Sequence, residues 1–240
     1  MSPPPGYIPY GSSVVDAGRF QGIGGLRKAM IVLLWIYLPL QVIAVIDLAR
    51  WSRQARRFLD GTISEQSFRD SVRVSAGSVV GLLVIPIAVL TMIWMFRMSA
   101  NLRRLGRPGQ TWVPGWAIGA WFVPPCVVYA VPWLMFKELW KGSDPATRPG
   151  DPWWKQNRVS PLVTWWWVLY GLIGSIGTLS SFSLLQDVRA GETIRARAER
   201  FRDAAASGIV FTLIAMVTTV VYIRLVTQLS NRHMQSIGEA

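Results

Sequence analysis

Long apolar runs joined by short charged links make up most of this chain. Four runs, at 29–49, 74–96, 162–186 and 206–230, each supply the roughly 20 residues that a helix needs to cross a hydrocarbon layer. A fifth, 112–140 (WVPGWAIGAWFVPPCVVYAVPWLMFKELW), is as long but is interrupted by Pro114, Pro124, Pro125 and Pro132. It carries Trp112, Trp116, Trp121, Trp133 and Trp140, and tryptophan favours the headgroup level, where its ring is half apolar and its N–H stays wet. The pattern predicts an all-α polytopic membrane protein. Four helices span, and the Pro/Trp-rich central segment is re-entrant or interfacial. Five spanning helices are the alternative.

The links complete the outline. Residues 1–25, rich in Pro, Gly, Ser and Tyr, bury too little to offset the entropy of ordering and read as a flexible tail. Residues 26–232 form one helical membrane domain, and 233–240 a short tail. The first run opens too late and runs too long for a cleaved leader. Link 50–73 breaks at Gly61 and restarts at Thr62-Ile-Ser64-Glu65, where Ser64 is a candidate helix cap. A second link of alternating charge, before 206, predicts a short amphipathic helix. Gly171, Gly174 and Gly177, set among serines, give a small-residue face over 171–181 that suits a homo-oligomer contact.

Composition agrees with a membrane class. The chain is 51% hydrophobic and 16% charged, with a mean hydropathy of +0.32, outside the soluble norm. A net charge of +12 would suit nucleic acid, but the cations lie between apolar runs, where they meet anionic headgroups and set orientation. Nucleic acid is therefore excluded as a partner, and the bilayer with its anionic headgroups is expected. Arg97, Arg103, Arg104 and Arg107 form a basic exit from the second run without an acid among them. With four spans and a cytoplasmic N-terminus, 14 basic residues fall inside, against six and five in the outer links. Five spans erase that bias. A thin repeat that places Gly81 on Gly208 and Arg97 on Arg224 also suits two parallel halves. The expected location is the cell membrane, multi-pass.

Candidate chemistry is sparse. Cys126 and His233 are each the sole residue of their type, so thiolate and most metal-centred sites are excluded, and no cofactor is expected. No nucleophile–base pair is visible, which argues against an enzyme. Arg97 and Asn101 share a helix face at i, i+4. Glu138 is the sole acid between Arg107 and Asp144. An Arg97–Glu138 pair is expected where the second span meets the central segment, because a lone charge near hydrocarbon is costly. The candidate residues are Arg97, Asn101, Trp116, Trp121, Pro124, Glu138 and Trp140.

The order Arg97, Asn101, Leu102, then Pro114-Gly115-Trp116, Trp121 to Pro124, Pro132, Glu138, Trp140 and Trp165–Trp167 resembles a bacterial membrane family, common in actinobacteria, known as domain of unknown function 4328. Its members typically show R-x-x-x-N-L, then P-G-W-x-x-G-W-W-F-x-P, then P-Y, E-x-W and a Trp-rich span. The resemblance covers about 30–230. This chain departs from it at Ala120, at Val127-Val128 and at Trp133, so any binding that needs the family's Asn after the W-W-F-x-P run is in doubt here. The resemblance implies a membrane class and leaves the activity open. A non-catalytic scaffold or interaction protein of the cell envelope is the leading function. A small transporter or channel subunit is the alternative, and a lipid-modifying enzyme ranks third.

Overall fold

The computed structural model describes residues 19–71, 76–122, 125–173 and 193–239. Among them every regular element is a helix. The order is α1 (Gly24–Leu59), α2 (Glu65–Ser71), α3 (Ala76–Arg104), α4 (Trp116–Gly119), α5 (Pro125–Gly142), a 3-10 turn (Pro152–Gln156), α6 (Pro161–Trp167) continuing as a π-helix (Val168–Ile173), and α7 (Ile194–Ile237). Among the described residues three stretches are long and apolar enough to cross a membrane: Gly24–Leu59, Val80–Arg104 and Ala205–Ile237. Their apolar side chains largely face outward. Trp35, Ile36 and Ile43 on α1, Leu82 and Ile85 on α3, and Val210 and Val217 on α7 are all exposed. In water such faces would be patches demanding a partner; against lipid tails they are at home. Pro39 and Pro86 sit inside α1 and α3, as membrane helices tolerate. This is an all-helical membrane protein.

The central segment is broken into α4 and α5, with 123–124 outside the described residues; Pro125 opens α5, but Pro132, expected to interrupt the run, lies inside that helix. Of the predicted 162–186 run, the residues to Ile173 are described; the rest, with Gly174, Gly177 and most of the small-residue face, lies outside them. Several boundaries differ from expectation. α1 and α3 run past the apolar runs 29–49 and 74–96 to Leu59 and Arg104, and the short amphipathic helix expected before 206 is the first part of α7, which runs unbroken from Ile194. The last helix runs on through the supposed 233–240 tail to Ile237. At the other end, residues 19–25 are engaged rather than free: Ile23 is fully buried and Gly24 opens α1. Residues 1–18 lie outside the described residues.

The chain divides into two compact units, to both of which α1, α3 and α7 contribute. The first comprises the described residues of Met1–Ala29, Val89–Thr164 and Leu225–Ala240; the second, those of Met30–Ala88 and Trp165–Arg224. In the second unit, Ser64 caps α2 as its sequence predicts, its Oγ accepting from Ser67 N at 3.3 Å. Phe68, the one buried residue of α2, stacks on Phe58 at 5.2 Å and meets Phe201 edge-on at 6.5 Å. Ala55 and Ala198 close this cluster. Both charged links therefore bury an apolar face, and their charges point outward in the exposed pairs Arg69–Glu65 and Arg202–Asp203.

Candidate functional site

The densest polar chemistry lies in the first unit, on α3, α5, α7 and the loops between them. Those loops, 105–115 and 143–160, hold little regular structure, so their backbone groups must find partners elsewhere. Side chains supply them.

Arg107 is the hub. Gly106, at φ +63, adopts the left-handed turn that ends α3, with Arg107 N bonding back to Leu102 O at 3.1 Å; a residue with a Cβ resists that conformation. The turn aims Arg107 into loop 142–148. Its Nε donates to Gly142 O at 2.9 Å and Nη1 to Arg148 O at 2.7 Å. Its Nη2 donates to Asp144 O at 3.2 Å and Thr147 O at 3.1 Å. Burial lowers the proton affinity of the guanidinium, and Asp151 and Asp144 partly restore it; arginine stays charged throughout. Close packing supports the geometry. A Cβ on Gly142 would meet Leu102 Cδ2 at 2.7 Å, so a larger residue there would have to displace the buried Leu102 side chain.

Glu138 performs the mirror task. Its Oε1 accepts from Thr111 N at 2.6 Å and its Oε2 from Trp112 N at 2.9 Å, holding the turn before α4 against α5. Gln110 reinforces the turn, its Nε2 donating to Ser99 Oγ at 2.6 Å and Trp112 O at 2.8 Å. The expected Arg97–Glu138 pair is not formed: Arg97 Nη1 donates to Gly22 O at 2.8 Å. Each charge has found a backbone partner of its own, and that suffices to stabilise it.

A third group joins the helix ends. Asn101 Oδ1 accepts from Gln21 N and its Nδ2 donates to Gln21 O, both at 2.8 Å. Gln21 N can only donate and Gln21 O can only accept, so the orientation of the amide is fixed. The second Nδ2 hydrogen then goes to His233 Nε2 at 3.2 Å, which must be the bare nitrogen. His233 Nδ1 therefore carries the proton and donates it to Ser143 Oγ at 2.7 Å. Asn101, Ser143 and His233 are fully buried. They are the residue types of a hydrolase triad, but the basic nitrogen of His233 faces Asn101 and its N–H faces Ser143, the reverse of the polarity by which a histidine takes a serine proton. The chain continues at the terminus, where Glu239 accepts from Ile23 N at 2.9 Å and Gly24 N at 3.0 Å. A carboxylate thus caps the open N–H groups of α1. Arg232 pairs with Asp144 at 2.6 Å and lies over Trp140 at 5.6 Å.

Of the predicted residues, Arg97, Asn101, Glu138 and Trp140 all lie in this unit, each on a separate contact set. Trp116 is partly exposed and meets Trp112 edge-on at 5.8 Å. Trp121 is half-buried. Pro124 lies outside the described residues. Sequence reasoning missed Arg107, Ser143, His233 and Glu239. A usable signal existed for Arg107 alone: it follows the helix-ending Leu105-Gly106.

No curated protein and no solved structure matches the chain. A family model does match, over residues 59–231, a stretch that takes in Asn101, Arg107, Glu138 and Ser143 and leaves Gln21, His233 and Glu239 outside. By that match the chain belongs to the family described as domain of unknown function (DUF4328).

Proposed function

We propose that this protein is a non-catalytic scaffold of the bacterial cell envelope, with the first unit as a rigid surface presented to partner proteins. The observation that supports this most is the direction of the buried hydrogen bonds. Arg107, Glu138 and Glu239 aim their charges at backbone groups, and the polarity of the Asn101–His233–Ser143 chain is the reverse of the one by which a histidine takes a serine proton. Catalysis needs a proton acceptor within reach of its nucleophile; buried side chains bonded to loop backbone hold those loops in one arrangement. In this reading the bilayer arrangement is four spanning helices with 112–140 as a re-entrant or interfacial hairpin and a cytoplasmic N-terminus. The basic exit at Arg97–Arg107 favours it.

Two measurements on native membranes test the proposal. A fluorophosphonate probe should leave Ser143 unmodified, and an adduct there would favour a hydrolase. Chemical cross-linking followed by purification of the full chain should recover a defined partner in near-stoichiometric amount. Recovery of the chain by itself would sink the scaffold role.

One observation favours transport as a second reading. The second unit holds a cavity of about 240 Å³ lined by Tyr37, Gln41, Asp47, Trp51, Phe211 and Thr212, on helices α1 and α7, both long enough to span. Polar groups lining a cavity on spanning helices are where transporters place their sites. Substrate flux in proteoliposomes, abolished by Asp47→Asn, would establish it over the scaffold.

A further inference from the structure

Arg103 and Arg104 end α3, a helix long and apolar enough to span, and both line an open groove of about 430 Å³ with Gln21, Phe96, Val113 and Pro114. No acidic residue lines it. Arg103 is exposed, and among the described residues its guanidinium has no hydrogen-bond or ion-pair partner. Arg104 reaches Asn101 Oδ1 only at 3.4 Å, and its Nε is buried without any partner. Arg27 and Arg232 also keep a buried Nε without a hydrogen-bond partner, but Arg232 is paired with Asp144, whereas Arg103 and Arg104 share one groove with no carboxylate in its lining. A buried donor left unmet costs free energy unless a ligand meets it. Two uncompensated guanidiniums call for an anion, and their planar forks suit phosphate.

The groove's other wall is apolar, made by Phe96, Val113 and Pro114. The chain that forms it runs directly into α4 and the turn beyond, where Val113, Trp116, Ile118 and Phe122 are exposed. Trp116 and Phe122 beside a basic helix end compose the pattern of a membrane–water interface. A free phosphate would find no use for the apolar wall; a lipid uses both.

We propose that the Arg103/Arg104 groove between the end of α3 and the 113–115 turn binds the phosphate of an anionic phospholipid, with an acyl chain along Phe96 and Val113. The inference rests on membrane embedding and not on the scaffold role. Bound lipid would tie the 113–115 turn to the bilayer surface and fix the depth of α4.

Native mass spectrometry of the full chain in detergent tests it, with phosphatidylglycerol, phosphatidylcholine and inorganic phosphate as probes. Phosphatidylglycerol should form a saturable adduct, phosphatidylcholine should not compete for it, and inorganic phosphate should not displace it. The double variant Arg103→Gln/Arg104→Gln should bind phosphatidylglycerol about 30-fold more weakly. Arg202→Gln, on the second unit, should bind as the parent does. Equal retention of both lipids by the parent chain, or undiminished binding by the double variant, would overturn the proposal. Displacement by inorganic phosphate would overturn the lipid assignment in favour of a free-anion site. The comparison of two lipids uses the parent chain, so it decides even if the double variant fails to fold.

Discussion

In the first unit Arg107, Glu138, Asn101 and Glu239 turn polar side chains onto backbone groups. In the second, the packing rests on Phe58, Phe68 and Phe201, with ion pairs left on the surface. Among the described residues the two units differ in the length of their loops. The second unit joins α1 to α2 through a short turn, 60–64, in which Gly61 N and Thr62 N bond back to the end of α1. The first unit must hold loops 105–115 and 143–160 in place, where one 3-10 turn and a few backbone bonds such as Gly150 N to Gly106 O satisfy part of their N–H and C=O groups and side chains must meet the rest. A charge-assisted bond from a buried side chain does that work, at the cost of making the loop depend on one residue.

Substitutions that remove a hub should therefore cost most. Arg107→Met strands four carbonyls at once and should lower stability in detergent by about 4 kcal/mol, read as a shift in the denaturation midpoint. Arg107→Lys should recover part of that, because one ammonium cannot reach four carbonyls in the geometry of the fork. In the second unit Phe68→Ala should cost about 3 kcal/mol through the cavity it leaves and leave the first unit's amide protection unchanged.

Glu138→Gln keeps one acceptor and turns an NH₂ toward a backbone N–H. A loss of about 2 kcal/mol is expected. Combined with Arg97→Gln, the losses should add, since the two side chains bind separate backbone groups. A sub-additive double variant would restore the direct pair. The smallest effects belong to the surface. Arg69→Ala should change stability by about 0.3 kcal/mol. Asp203 is held below its ordinary carboxylate range, first by the hydrogen bond from Arg202. Its folded proton affinity is thus depressed, so whatever stability it adds is complete above about pH 4 and disappears as pH falls through the lowered value. An Asp203→Asn variant should lose that dependence, with no change at neutral pH beyond the loss of an exposed pair.

The elements that follow from period and length were readable in the chain. Runs of apolar residues marked α1, α3 and α7, prolines marked the break between α4 and α5, and Ser64 marked the start of α2. The chemistry of the first unit was not readable in the same way. Arg107 sits in a run of arginines and reads as a headgroup contact, whereas its burial depends on Gly106 aiming it and Gly142 leaving room. His233 and Glu239 lie where a tail is expected, and their partners, Asn101 and Ile23, are 132 and 216 residues away. No local pattern encodes contacts of that separation. Glu138 stood out in the chain by its isolation, yet isolation says nothing about partner. A carboxylate can be stabilised by two N–H groups as well as by a cation, and here the backbone was nearer.

Hydrogen–deuterium exchange of the full chain in lipid nanodiscs tests most directly whether buried side chains hold the first unit's loops. The Thr111 and Trp112 amides, which donate to Glu138, should be strongly protected in the parent chain. In Glu138→Gln they should exchange at least about tenfold faster, while amides of α2 in the second unit keep their rates. Unprotected Thr111 and Trp112 amides in the parent chain, or rates unmoved by the substitution, would contradict the account.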